Sequence, residues 1–510
     1  MALTASNFVL PLCIAAMFAF GAWAIGSYIY AKKQGVYDES AEFFLTAKNS
    51  QPWYRVAWGF YACSVGAGVL FSVPGYVAMN PGGGGWLGLI NYSVFAGLPF
   101  VLMAYIGIYI KKRFPAVLSI GSFAKWRFGP FFSTWVTLNV IFNLGIALTA
   151  EYTAIGGVFK SFLGTERWVP IVLVGLITMS YTAIGGLYVS LVTDQVQSIF
   201  IFLILAIVGT FVAVNFRVDI LPSPLPDHLA LNDAGKGSFL TLGVALVSST
   251  MFSDAIWQRV WSAKDDKALI RGSWIGAIMV IVIVFLFGLG GFISSWAGLV
   301  TDDPNNAFLE LLKIGGEIPI GMLLCICLIA TTMNEAAVDS YQIALSDTVG
   351  ALFEGFGVEL NVWLIRGILI CLNVPIAIVG CFGFSIINLY LITNLLTTCL
   401  LIPFCCGLIP SLDFIVTGGA ALFSSLSGVF GIIIYAVIDQ LNKGATFSGQ
   451  TIIDGIVFTF YSNFDYPGFA VALVSSLAGL LIYVGAGYVY YSVTGKERPT
   501  PAHLIVQKDN

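Results

Sequence analysis

Charge is scarce in this chain. Asp, Glu, Lys and Arg make up 10% of its 510 residues, while 58% are hydrophobic. A soluble domain is about 25% charged, and a fold with so few charges could not cover its surface in water. The same balance excludes a disordered chain and a small secreted disulfide scaffold. Histidine is rarer still, with only His228 and His503, and the net charge is −4 with no basic block. Nucleic acid is therefore excluded as a partner. The nine cysteines all lie in apolar stretches, away from any His at zinc spacing, and read as small core residues. The chain has no G-x-S-x-G and no Walker motif, so neither an enzyme nor an ATP-driven pump is indicated. Gly82 to Gly85 form a glycine run without a following Lys-Ser/Thr, which reads as a flexible turn.

Long apolar runs are what the sequence has in abundance. A helix crosses the hydrocarbon layer with about 20 apolar residues. Thirteen segments qualify: 7–30, 55–78, 86–110, 131–155, 168–185, 188–214, 237–260, 272–299, 318–346, 360–382, 384–408, 412–438 and 466–492. The first is too long for the apolar region of a signal peptide, and Lys32 and Lys33 follow it, so it reads as a retained membrane helix. Thirteen spans with the N-terminus outside put the C-terminus inside. Lys160, Arg167, Arg217, Lys236, Lys313 and Lys443 then lie outside and the other seventeen of the 23 Lys and Arg inside, Lys496, Arg498 and Lys508 among them. This is the bias expected of cytoplasmic loops. Asp219, Asp227, Asp233, Asp302 and Asp303 give the outer loops a mild acidity.

Charge inside a span is costly and points to function. The spans contain Glu151, Asp194, Asp254, Glu335 and Asp339, with Asp347 at a helix end, while Arg259, Arg271 and Arg366 fall near cytoplasmic ends. An excess of buried acids calls for a cation, a shared proton or water. Glu335 and Asp339 are four residues apart and share a helix face with Thr331 and Thr332 a turn earlier. Two readings of that face stand side by side: a cation or proton pathway, or the wall of an aqueous inner vestibule paired with Arg259.

Two further stretches stand out. The apolar run Ala62–Gly75 is interrupted by Gly66, Gly68, Pro74 and Gly75. Unwinding there would free carbonyl oxygens suited to an alkali cation, whereas glycines in membrane helices also serve close packing. Gly185-Gly186 joins two spans, with Asp194 about two turns into the second.

At these residues the chain resembles the sodium/solute symporter family. Glu42-Phe43-Phe44-Leu45-Thr46-Ala47-Lys48 is similar to its entry motif, and Gly185-Gly186-Leu187 with Asp194-Gln195-Val196-Gln197 is similar to its G-G-L…T-D-x-x-Q signature. Thr331-Thr332 stands where the family has a Ser/Thr pair. The resemblance implies an all-α membrane protein with a leucine-transporter-type core of two inverted five-helix repeats, 55–214 and 237–408. An N-terminal helix and inner loop (1–54) would precede the core, and two helices and a short tail (409–510) would follow it. It also implies sodium held by Ala62, Val65, Leu328, Thr331 and Thr332, and an exit route past Asp194. Asp254-Ala255-Ile256-Trp257-Gln258-Arg259 and Leu389-Tyr390-Leu391 resemble the urea active transporter branch of fungi and plants, which implies urea or sometimes polyamines as substrate.

Together these readings describe a secondary symporter. Sodium, or protons, would drive uptake of a small nitrogenous solute, with no other cofactor and with lipid as the only standing partner. The ion would leave past Asp194, Glu335 and Asp339, and the solute would bind near Gly66, Gly68, Glu151, Asp254, Trp257 and Tyr390. The expected setting is the plasma membrane or a bacterial inner membrane. A sodium symporter of a monocarboxylate, choline or proline, or an uncoupled facilitator, is the alternative.

Overall fold

Where water is absent, a chain must bond its own N–H and C=O groups segment by segment, and helices do so most simply. The computed structural model describes residues 2–80, 82–115, 117, 119–216, 221–300, 303–313, 316, 318–355, 357–358, 360–464 and 466–495. Of the loop charges considered above, Arg217, Asp219, Asp302, Lys496, Arg498 and Lys508 lie outside the described residues, as does His503.

The chain opens with α1 (Ala2–Lys33) and the short α2 (Ala41–Thr46). Next come α3 (Trp53–Ala62) and α4 (Val69–Ala78), separated by the non-helical residues 63–68. They are followed by α5 (Gly85–Arg113), α6 (Ile120–Phe128), α7 (Pro130–Leu163), α8 (Trp168–Asn215), α9 (Asp233–Met251) and α10 (Asp254–Ser262). The remainder is α11 (Asp266–Trp296), α12 (Ala307–Leu311), α13 (Ile320–Gly355), α14 (Val362–Gly380), α15 (Ile386–Leu408), α16 (Gly418–Asn442), α17 (Gly449–Tyr461) and α18 (Tyr466–Thr494).

Ten of these helices are long and apolar enough to cross a membrane, or eleven if α9 and α10, bent by 62°, form one span. Length alone hides two more crossings. A straight helix the length of α8 would run about 72 Å, more than twice the ~30 Å hydrocarbon layer. It breaks at Gly186 (φ 57°, ψ −153°) into 168–185 and 187–215. The ten-residue helices α3 and α4 are each too short to cross and together make one interrupted span. Counted this way, the helices correspond one to one with the thirteen apolar runs. The short α2, α6, α12 and α17 have no counterpart in that count, because none contains a run of membrane length. The segment after 409 accordingly holds three helices where two were expected.

Polar groups at the helix ends sort into two sets. At one end Lys112 pairs with Asp266 at 3.6 Å, Arg113 and Arg127 both pair with Asp413, and Lys111 donates to the Val260 carbonyl at 2.9 Å. At the other, Asn232 donates to the Gly83 carbonyl at 3.1 Å, and Trp296 to the Pro222 carbonyl at 2.9 Å. The long α13 lies at the centre, packed against α1, α7, α8, α10 and α14.

The Gly186 break needs both a residue without Cβ and a donor for the freed carbonyls. A Cβ there would collide with the Phe44 carbonyl, and Arg366 donates to the Ala183 and Ile184 carbonyls. Its backbone is one that only glycine adopts readily. Gly186→Ala should therefore cost at least about 1–3 kcal/mol from the backbone alone, measured as a lower melting temperature in detergent. Gly209→Ala, whose Cβ would meet nothing within 4 Å, should leave it unchanged. Equal melting of the two variants would refute this account of the break.

Candidate functional site

The interruption at 63–68 leaves main-chain groups without helical partners. Among the described residues, no main-chain donor reaches the carbonyls of Ala62, Cys63, Ser64 or Val65. On the other side of the break the free N–H groups meet an acid. The Gly68 N–H donates to Glu151 Oε1 at 3.3 Å and Oε2 at 3.4 Å. Asn334 Nδ2 donates to the same carboxylate at 3.0 Å and to the Glu151 carbonyl at 2.8 Å. An anion at the start of α4 is favoured by the exposed N–H groups and the helix dipole. The glycines make room for it. A Cβ on Gly66 would collide with the Glu151 carboxylate, and one on Gly68 would lie 2.9 Å from Oε1 and 3.3 Å from the Tyr390 hydroxyl. Pro74 and Gly75, expected to take part in the interruption, lie within α4, so the unwinding ends before them.

The residues named for sodium fall on two elements. Ala62 closes α3 and Val65 stands in the unwound stretch, while Leu328, Thr331 and Thr332 belong to α13. The Thr331 and Thr332 hydroxyls, both buried, donate to the Cys327 and Leu328 carbonyls at 2.7 Å, which leaves their lone pairs available. Asn334 and Glu151 tie this part of α13 to the break. Among the described residues, no cluster of three His, Cys, Asp or Glu side chains could hold a metal ion. Any cation here would rest on carbonyl and hydroxyl oxygens.

Beside the break lies a cavity of about 160 Å³. Glu151 lines it together with Ser64, Tyr92, Asn143, Tyr341, Tyr390 and Asn394. None of the ion pairs among the described residues involves Glu151. The structure thus brings Gly66, Gly68, Glu151 and Tyr390 together at the break, and Glu151 and Tyr390 line the cavity.

Asp254 and Trp257 do not belong to this lining, and the second interruption explains why. Between α9 and α10 the carbonyls of Ser249, Met251 and Phe252 are left to side chains. Asn143 Nδ2 donates to Ser249 and Phe252, both at 3.1 Å, and Trp257 Nε1 to Met251 at 2.8 Å. The Trp257 ring stacks on Trp261 with centroids 5.3 Å apart. Asp254 accepts from the Ile120 N–H at 3.1 Å, at the start of α6, and from Thr348 at 2.7 Å. Both residues secure the bend. Asn143 and Asn334 were missed by a search for intramembrane charge. Their signal was an amide set within an apolar helix.

Asp194, Glu335 and Asp339 gather between α8, α10 and α13, and all three are fully buried. Arg259, also fully buried, donates to Asp194 Oδ2 at 3.2 Å and to the Ser340 hydroxyl. Asp339 accepts from Tyr181 at 2.8 Å and from Ser190 at 3.0 Å. In this structure the Glu335/Asp339 face is fully buried, with α8 and α10 packed against α13. Arg259, expected near a cytoplasmic end, is itself buried and pairs with Asp194, not with Glu335.

Helices interrupted at mid-span, with an acid and carbonyl oxygens at the breaks, define a membrane carrier of small solutes rather than an enzyme. Residues 43–349, more than half of the chain, match the Sodium:solute symporter family, and the chain belongs to that family. Over 470 residues it is 24% identical to the spermidine transporter DUR31 of Candida albicans, covering 89% of this chain and 87% of that one. Its fold is similar to that of a sodium-coupled sialic acid symporter in a substrate-bound outward-open state, with a TM-score of 0.69, 16% identity and coverage of 94% and 97%. It is also similar to MHP1, a nucleobase-cation-symport-1 family transporter (TM-score 0.50, 13% identity, coverage of 87% and 95%). A manganese transporter of Eremococcus coleocola gives a TM-score of 0.51 at 13% identity, with coverage of 86% and 95%. The leucine-transporter-type architecture implied by the sequence resemblance is thus the architecture of this chain.

Removing Arg259 would leave Asp194 buried without its cation. Arg259→Gln should cost about 3–5 kcal/mol of stability, measured by melting in detergent. Arg271→Gln, an exposed arginine over the Trp53 ring at 3.9 Å, should cost under about 1 kcal/mol. Comparable melting of the two variants would show that the buried pair is not structural.

Proposed function

We propose that this chain takes up a small cationic amine of the polyamine class, driven by sodium, through alternating access. One observation carries the reading: the buried acid Glu151, with no Lys, Arg or His paired to it among the described residues, lines a cavity shared with three tyrosines. An ammonium group suits that setting, because it gains a charge-assisted hydrogen bond to the acid and the faces of Tyr92, Tyr341 and Tyr390. Urea, to which the branch resemblance points, would leave the acid without a counter-charge, and a monocarboxylate would be repelled. The spermidine transporter among the relatives supports the same class.

In this reading Gly66, Gly68, Glu151 and Tyr390 form the solute site, and Asp254 and Trp257 do not. Sodium takes the carbonyls of Ala62, Val65 and Leu328 and the hydroxyls of Thr331 and Thr332. Its exit runs past Asp194 and the Glu335/Asp339 face. The division into repeats 55–214 and 237–408 is supported by the interruption near the start of each, at 63–68 and 252–253. The cation-rich end faces the cytoplasm, in keeping with the positive-inside bias. That puts the N-terminus outside, in the plasma membrane or a bacterial inner membrane.

Purified protein in proteoliposomes tests this with radiolabelled spermidine and urea under an imposed sodium gradient. Spermidine should accumulate above equilibrium, and the accumulation should collapse when the gradient is dissipated. Glu151→Gln should raise the KM for spermidine by at least about tenfold, the worth of one charge-assisted bond. Thr332→Ala should raise the sodium concentration for half-maximal uptake by about three- to tenfold, the loss of one weak ligand. Uptake that only equilibrates, a KM indifferent to Glu151→Gln, or accumulation of urea instead would overturn the reading.

A further inference from the structure

Of the three acids between α8, α10 and α13, Asp339 is well supplied with donors: Tyr181, Ser190 and Ser340, with Thr193 at 3.4 Å. Asp194 has the Arg259 guanidinium on Oδ2 and, among the described residues, no partner on Oδ1. Glu335 lacks even a cation. Its Oε2 has one neighbour, Gln197 Nε2 at 3.5 Å, and among the described residues its Oε1 has no hydrogen-bond partner at all. The ionisable groups near it donate nothing to it. Asp339 lies one turn further along α13 and Tyr181 lies near both on α8, while Asp194 of α8 and Arg259 of α10 belong to the same buried cluster. Tyr181 donates to Asp339 and Arg259 to Asp194 and Ser340. A carboxylate left this bare in a fully buried position is strongly disfavoured.

The amide facing Glu335 has the complementary defect. Gln197 Oε1 is buried and, among the described residues, has no donor. One proton remedies both. Placed on Glu335 Oε1, it is donated to Gln197 Oε1, while the Gln197 Nε2–H donates back to Glu335 Oε2. Acid and amide already meet at one edge, and the proton joins the other to close a ring of two hydrogen bonds.

We propose that Glu335 holds a proton shared with Gln197, and that this pair is a proton-loading site of the carrier, separate from the sodium site. Its part in transport rests on the carrier reading above; its occupancy by a proton does not. The rival occupant is a monovalent cation on Glu335 Oε1 and Gln197 Oε1, both without partners among the described residues.

Infrared spectroscopy of the lipid-reconstituted full chain at neutral pH, with and without sodium, tests the proton directly. A carboxylic acid C=O band that shifts in D2O should be present in both buffers and missing from Glu335→Gln. That variant is isosteric with the neutral acid and should keep its melting temperature. Loss of an ionised carboxylate band instead, or a band abolished by sodium, would overturn the proposal in favour of the cation. If Glu335→Gln does not fold, Gln197→Leu decides: removing the amide should move the acid band to higher frequency, and an unmoved band would sink the pairing. Vesicles loaded with a pH-reporting dye test the loading step. Spermidine entering under a sodium gradient should acidify the lumen, at least tenfold more slowly in Glu335→Gln. Spermidine uptake with no pH change would overturn proton loading. Absence of spermidine uptake in the unaltered protein would count against the function proposed above, and the infrared band would still decide the proton.

Discussion

The rest of this structure depends on one constraint: a helix broken in the middle of a membrane must find partners for the main-chain groups it frees. Each interruption solves the problem with side chains from elsewhere. Glu151 takes the Gly68 N–H at the first, Asn143 and Trp257 take carbonyls at the second, and Arg366 takes two at Gly186. Glu151 and Asn143 lie on the same helix, α7, about two turns apart. One straight element therefore serves the breaks on both sides of the centre. The carbonyls of Ala62 to Val65 differ: among the described residues neither main chain nor side chain donates to them, which leaves them open to the sodium proposed above.

The second level of organisation is electrostatic. The interior holds more acids than bases, and each acid is disposed of differently. Asp254 sits at the starts of α6 and α10, where helix ends favour a negative charge. Asp194 is neutralised by Arg259, whose approach is permitted by Gly59, since a Cβ there would lie 3.1 Å from Arg259 Cγ. Asp339 is held by hydroxyl groups. Glu151 borrows N–H groups from the break and an amide from α13. Glu335 has the poorest supply. The gradient from well-paired to poorly paired acids separates groups that hold the fold from groups left open to an ion, a proton or a cationic solute.

Much of this was legible in the sequence, and the rest was hidden for physical reasons. The spans were visible because lipid demands apolar runs of a set length, and the first break because Gly66 and Gly68 interrupt one of them. The position of Pro74 was misleading: it is the sixth residue of α4 and gives up a main-chain hydrogen bond there, yet the helix runs on to Ala78. Trp257 and Asp254 looked like solute contacts because an aromatic and an acid beside an interruption fit that role equally well. Only the coordinates show that their polar atoms are spent on Met251, Ile120 and Thr348. Asn143 and Asn334 carry no charge and so drew no attention, and Gln197 entered only as part of a signature, yet the first two complete the breaks and the third faces the barest acid.

Coupling follows from how little backbone the two proposed ligands would have to share. In that reading sodium takes the carbonyls of Ala62 and Val65, while the solute's ammonium meets Glu151, which is bonded to Gly68 three residues further on. Both ligands then act on one short unwound segment whose conformation neither helical half can dictate alone. A cation on the carbonyl side fixes the segment in one arrangement, and the acid on the N–H side is presented to the cavity only in that arrangement. The ordering is done once, so the second ligand meets a segment already held in place. Reciprocity then requires the solute to tighten sodium by the same factor. In that reading no long-range relay is needed, because the energetic link between gradient and solute would be the stretch 63–68 itself.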